Sequence, residues 1–202
     1  MPIICIANLK GGVGKTSIAL NLIHHLNPSV IIDLDVHGGL REINDLLREP
    51  PLDIKRTTDR SQLMKWLDTD EMTIVDCGGF DTALIKCAIS QADFVVVPSS
   101  DDATEQLALR KFNDVIKDVN EQWIQSDDKV KAQVVLNRIH HSRRDFSDVE
   151  RLINGLDSLE LCPVKIRQSA SIPAAAFSGQ GVKSGSSAAQ FNQLSKYILN
   201  NI

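Results

Sequence analysis

The chain has 202 residues, 43% of them hydrophobic and 24% charged, which is ordinary for a soluble globular fold with an ample core. A net charge of −4 excludes nucleic-acid binding through bulk charge, though not through a local basic patch. Four cysteines without C-x-x-C spacing, Cys5, Cys77, Cys87 and Cys162, exclude a zinc ribbon or disulfide framework and fit reduced, buried thiols.

Apolar runs and helical patterns alternate along the chain. Ile3-Ile4-Cys5-Ile6 reads as a buried strand, followed by a glycine-rich turn and a helix opening at Ile18. Asn27-Pro28 stops that helix, and Val30 to Asp35 reads as a second strand. A helix over Leu40 to Arg48 ends before Pro50-Pro51, then come a short strand at Asp53 to Lys55 and a helix over Gln62 to Leu67. Met72 to Asp76 is a strand, Thr82 to Gln91 a helix, and Phe94 to Val97 a buried strand closed by Pro98. The longest helix spans Ala103 to Trp123, with Leu107, Phe112, Val115, Ile116 and Val119 near helical spacing. Val134 to Leu136 gives another strand, Asp148 to Asn154 a helix, and Leu161 to Ile166 a weak strand. Short helices over Ile172 to Phe177 and Ala188 to Asn200 finish the chain. Such alternation predicts an α/β fold with a mainly parallel, twisted sheet flanked by helices, in a single domain over 1–202. No signal peptide precedes the first strand and no apolar run reaches the roughly 20 residues of a membrane span, so a cytoplasmic protein is expected.

The informative stretch is Asn8-Leu9-Lys10-Gly11-Gly12-Val13-Gly14-Lys15-Thr16-Ser17. Strand, glycine loop and helix in that order is the context of a phosphate-binding P-loop. Glycines let backbone N–H groups turn inward around phosphate oxygens, and the positive end of the following helix faces the same anion. Gly11, Gly12, Val13, Gly14, Lys15, Thr16 and Ser17 are therefore the predicted nucleotide-binding residues. Lys15 is placed to reach the β- and γ-phosphates and the Thr16 hydroxyl to ligate Mg²⁺. Carboxylates at strand ends supply the rest. Asp33 and Asp35 close the second strand at period-two spacing, and Asp76 closes the fourth. Mg²⁺ takes oxygen ligands, and a base or water-orienting group is needed beside the γ-phosphate.

One departure from the plain pattern G-x-x-x-x-G-K-S/T is specific. The first glycine position is Leu9, and Lys10 opens the run Lys-Gly-Gly-Val-Gly-Lys-Thr. That run resembles the deviant Walker A P-loop of the ParA/MinD family of ATPases. The resemblance implies an ATP-sandwiched homodimer in which Lys10 reaches the partner's phosphates. It also implies slow ATP hydrolysis with ADP as product, stimulated by a ParB-like or cargo-adaptor partner. Ile32-Asp33-Leu34-Asp35-Val36-His37-Gly38-Gly39 looks like the family's D-x-D-P-Q-G segment, which makes Asp35 the residue that orients the water and puts Asp33 nearer the Mg²⁺ shell. Asp76 looks like the Walker-B aspartate, bound to Mg²⁺ through water. Val36-His37 stands in place of Pro-Gln, and Gly78-Gly79 in place of a frequent Pro-Pro.

Asn137 follows the Val134–Leu136 strand, where related ATPases carry an adenine-reading asparagine; a capping or turn asparagine is the competing reading. The segment from Lys165 to Val182 resembles the tail of small ParA proteins, whose loop closes over the base. Arg138, His140, His141, Arg143 and Arg144 form the densest basic cluster. In small ParA proteins ATP-bound dimers bind DNA without sequence preference, so Arg138, Arg143 and Arg144 are candidate DNA contacts and nucleoid association is expected in the ATP state; a solvated face is the alternative. The stripe Phe191, Leu194, Tyr197, Ile198 carries Lys196 as its one cation, so it is expected to pack on the core rather than on a membrane. A MinD-like membrane or scaffold positioning role, and a biosynthetic enzyme similar to dethiobiotin synthetase, are the other classes.

Overall fold

The computed structural model describes residues 2–79, 83–124 and 129–202. Strands β1 (Ile3–Ile6), β2 (Val30–Asp33), β3 (Ile54–Lys55), β4 (Thr73–Asp76), β5 (Phe94–Ser99), β6 (Ala132–Ile139) and β7 (Leu159–Arg167) form a seven-stranded sheet in the order β3-β2-β4-β1-β5-β6-β7. Every pairing among them is parallel. The central strands are largely apolar because helices cover both of their faces, with Asp33 and Asp76 at the carboxyl ends of β2 and β4.

Those helices divide by face. Ile3, Cys5 and Ala7 point into one core layer with α3 (Arg60–Leu67), α4 (Ala83–Ser90), α5 (Ala103–Gln122) and α6 (Ser147–Asn154). Ile4 and Ile6 point into the other, with α1 (Lys15–Leu26), α2 (Gly39–Leu47), α7 (Ser171–Ala176) and α8 (Gly185–Leu199). Alternation of side chains along an extended strand produces this partition. Polar residues set the helix starts: the Asp59 carboxylate accepts from the Ser61 and Gln62 amides, and Asp102 caps α5 through Thr104.

Three differences from the sequence expectation bear on the site. Strand β2 stops at Asp33, so Asp35 lies in the following loop; the Asp33 carboxylate accepts from the Asp35 amide at 2.9 Å and turns the chain out of the sheet. Strand β6 continues through Asn137 and Arg138 to Ile139, because β7 is longer than expected and pairs with it past two register shifts. Helix α4 begins at Ala83 among the described residues, and the expected start at Thr82 lies outside them. All four cysteines are buried and unpaired, as expected.

The C-terminal stripe packs on the sheet. Phe191, Leu194 and Ile198 are each at most 1% exposed within the second core layer, and the Tyr197 hydroxyl reaches Gln133 at 3.2 Å. Phe191→Ala is expected to cost about 3–5 kcal/mol in urea denaturation, with the m-value unchanged. A loss below about 1 kcal/mol would show that α8 is not part of the core.

Candidate functional site: a phosphate loop at the carboxyl edge of the sheet

The loop between β1 and α1 is fixed from the side of β5. Asn8, 1% exposed, donates from Nδ2 to the Pro98 carbonyl at 2.8 Å and accepts from the Lys10 amide at 2.9 Å. Gly12 and Gly14 take φ of 75° and 96°, where a side chain would be strained. Gly14 is also the N-cap of α1, which has no side-chain cap, so no side chain takes up the first amides of the helix.

Lys15 is buried, and its Nζ donates to the Lys10 carbonyl at 3.2 Å, inside the turn of the loop. Burial lowers its pKa, while the charges of Asp76 and Asp35 hold it up. The Lys10 side chain is exposed at the rim. Gly79 meets this arrangement from the end of β4: a Cβ there would stand 3.6 Å from Lys15 Nζ and 3.5 Å from the Leu9 carbonyl. Gly78 does the same for the other loop, since a Cβ would lie 3.1 Å from the Asp35 Cα. The Gly78-Gly79 departure noted in the sequence thus brings the β4 end against both loops.

The carboxylates divide their work. Asp33, 1% exposed, gives both oxygens to backbone amides, Asp35 at 2.9 Å and Arg41 at 3.0 Å. Burial still raises its pKa, against the pull of those two N–H groups. Its contacts therefore shape the loop. Asp76 is also 1% exposed, and among the described residues only the Thr16 hydroxyl offers its oxygens a donor, short of a well-formed hydrogen bond. Burial, and next the Asp33 charge, push its pKa up to about 8; the Thr16 hydroxyl and Lys15 oppose that rise. A buried carboxylate without partners is costly, and a cation at its oxygens would relieve the cost. Asp76 and Thr16 accordingly fit a divalent metal shared with a phosphate ligand. Among the described residues no three His, Cys, Asp or Glu side chains cluster to hold a metal by themselves. Asp35 sits half-buried in the loop beyond, its Oδ1 accepting from the exposed His37 amide at 2.9 Å.

Two clefts meet at Gly14, Thr16 and Ser17. One, about 450 Å³, lies over the P-loop and is bounded by Lys15, Asp35, His37 and Gly79. The other, about 630 Å³, is walled by Leu20, Ile43, Ile172 and Pro173, with Asn137, Arg138, Gln168 and Ser169 among its polar groups. A charged compartment joined to an apolar one is the shape of a nucleotide. Asn137 donates from Nδ2 to the Val13 carbonyl at 2.9 Å, so it braces the P-loop while facing the apolar cleft.

Arg138 is not grouped with Arg143 and Arg144. It sits at φ 60°, donates from Nη1 to the Gly12 carbonyl at 2.7 Å, and pairs with Glu105. Glu105 in turn accepts from the Ser100 amide at 2.7 Å. Arg143 pairs with Asp101 at 3.1 Å, Arg144 bonds carbonyls of its own loop, and Arg167 braces that loop through the His140 and Arg143 carbonyls at 3.0 and 2.9 Å. Asn8, Glu105 and Arg56 (whose Nη2 donates to the Asp35 carbonyl at 2.9 Å) are site residues that sequence reasoning missed. Only the tertiary pairing of strands brings them in.

The profile of the CobQ/CobB/MinD/ParA nucleotide-binding domain matches residues 4–182. The chain belongs to that family. ParA of Rhizobium radiobacter is 33% identical over 108 residues, covering 48% of each protein, so the match spans about half the length of that curated relative. Among solved structures, MinD of Aquifex aeolicus superposes with a TM-score of 0.72 at 14% identity, covering 100% of this chain and 98% of that one. A plasmid partition protein of Borrelia burgdorferi bound to AMPPNP gives 0.68 at 15% identity, covering 100% and 99%. McdA of Cyanothece gives 0.70 at 16%, covering 98% and 99%. At these identities the superpositions establish the seven-stranded P-loop fold of the MinD/ParA group.

Between the ordinary carboxylate pKa of 3.8 and about 8, native Asp76 keeps a proton that the unfolded chain has released. Stability therefore falls as pH rises through that window. Nucleotide-free protein is expected to melt at a lower temperature at pH 8 than at pH 5.5. Asp76→Asn is expected to flatten that slope and raise Tm at pH 8. Equal slopes for the two proteins in scanning calorimetry would show that Asp76 is not its source.

Proposed function

We propose that the chain is a ParA-type switch, an ATPase domain over 1–202 that hydrolyses ATP to ADP and phosphate and changes its contacts between the two nucleotide states. The observation that carries this reading is the split of the two lysines. Lys15 is folded inward against the Lys10 carbonyl, while the Lys10 side chain stands exposed at the rim. One cation is thus available to its own phosphate cleft, and the other to a facing copy. Mg²⁺, when bound, would neutralise phosphate charge, and Asp76 and Thr16 are the residues that would hold it, with Asp33 behind them. Lys15 and the Gly11–Ser17 backbone bind and orient the phosphates. Asp35 positions the attacking water and accepts its proton. Asn137 and the apolar cleft hold the base.

In the same reading two copies close face to face around ATP, each offering Lys10 across the interface, and a ParB-like or cargo-adaptor protein accelerates hydrolysis. Arg143 and Arg144 of the two copies contact DNA phosphates without sequence preference, which associates the ATP form with the nucleoid. Arg138 supports the link: its guanidinium touches the P-loop at Gly12, and the basic loop starts beside it. The buried face of α8 weighs against a MinD-like membrane tail, and no described helix is long and apolar enough to cross a membrane.

Binding to non-specific duplex DNA with ADP, ATP and a slowly hydrolysed ATP analogue tests this directly. Binding is expected only in the ATP states and should weaken steeply between low and physiological salt. Charge reversal at Arg143 and Arg144 is expected to weaken it about tenfold or more, with nucleotide affinity unchanged. Lys10→Ala is expected to abolish hydrolysis and ATP-dependent dimerisation, read by turnover and sedimentation. Tight ATP binding without DNA binding in any state would overturn the DNA reading; wild-type dimerisation of Lys10→Ala would overturn the cross-interface role.

A further inference from the structure

We propose that Arg56 is the positioning residue of the Asp35 loop, clamping from outside the segment that Asp33 holds from inside; this rests on the hydrolysis reading above. Arg56 follows β3, whose register with β2 pairs Ile31 with Ile54 and Ile32 with Lys55. Arg56 therefore comes level with Asp33, where β2 ends and the loop departs. Its Nη2 donates to the Asp35 carbonyl at 2.9 Å and to the Val36 carbonyl at 3.2 Å. The Asp35 carbonyl also accepts from the Gly38 amide at 2.9 Å, so the guanidinium grips the oxygen that closes the turn.

Gly38 is shaped to this contact. Its φ is 64°, and a Cβ there would stand 2.8 Å from Arg56 Nη1. The positive φ is what favours glycine at position 38, and the arginine lies across the space a side chain would take. From the opposite side, Asp33 Oδ1 accepts from the Asp35 amide, and Asp35 Oδ1 accepts from the His37 amide. The backbone of Asp35 is thus fixed at both its N–H and its C=O.

The loop needs such an anchor. Val36 leaves its own φ free, since only a proline ring would lock it. It is 61% exposed and has little packing to restrain it. Asp35 is the wall between the phosphate cleft and a third cleft of about 570 Å³ lined by Arg56, Thr57 and Gly78. Displacement of that wall carries Asp35 away from the phosphates, and misplacement of a reacting group by an ångström costs rate far more than affinity. One guanidinium nitrogen, Nη2, holds both carbonyls, while Nη1 lies over Gly38, so the planar group covers the turn as well as bonding to it.

The test compares Arg56→Ala and Arg56→Lys with the wild-type protein by three readouts: amide hydrogen exchange over 33–38, affinity for a fluorescent ATP analogue, and single-turnover hydrolysis. Arg56→Ala is expected to exchange the amides of Asp35, His37 and Gly38 about tenfold faster and to hydrolyse about tenfold slower, with affinity within about twofold. Arg56→Lys should fall between, and exchange in α5 should match wild type in both, which reports an intact fold. Unchanged exchange over 33–38, or faster exchange with wild-type hydrolysis, would overturn the positioning role. Wild-type protein that hydrolyses no ATP would instead defeat the hydrolysis reading, leaving exchange to decide the clamp.

Discussion

The unpaired carboxylate of Asp76 is what the rest of the site is arranged around. It is held buried at the carboxyl end of β4, stripped of water, with only the Thr16 hydroxyl as a donor among the described residues, at a cost that few buried groups in a stable fold impose. The surroundings leave that cost standing. Lys15 offers charge but spends its hydrogen bond on the Lys10 carbonyl, and Asp33 adds a second negative centre while its own oxygens go to amides. Such an arrangement is destabilising by itself, and a cation at those oxygens would relieve it, so part of the free energy of binding would come from that relief.

Around that centre the chain uses polar side chains as struts. Asn8 ties the P-loop to β5, Asn137 and Arg138 tie it to β6, and Arg56 ties the next loop to β3. Each strut joins a loop at the carboxyl edge to a strand that is not its neighbour in sequence. Loops so held are rigid where they face phosphate and remain free at their outer surfaces, which is what a molecule requires if it is to expose different contacts in two ligand states.

Much of this was legible before any fold was known. Alternating apolar runs gave the strand and helix order, because covered parallel strands must be apolar along their whole length. The Lys10 to Ser17 run was legible because its chemistry is local: glycine conformations, a helix start and two lysines within eight residues. What failed to show was set by partners distant in sequence. Asp33 and Asp35 looked equivalent at period two, yet β2 ends between them and only Arg41 and Arg56 reveal which one builds the loop. Arg138 read as one more cation in a basic cluster, until β6 proved long enough to place it beside Gly12. Gly78-Gly79 read as a missing pair of prolines; in three dimensions Gly78 is clearance for the Asp35 backbone, and Gly79 lies within contact range of Lys15.

The margins of the sheet carry a consequence of their own. At one margin β3 is two residues long, and at the other β7 contains Pro163 and is paired past irregular register. A margin that short offers almost no ladder to an incoming strand, and proline with bulging interrupts the other. The fold is thereby protected against growing sideways through backbone pairing. Contacts between copies of this chain would then have to run through side chains and loops rather than through an extended ladder.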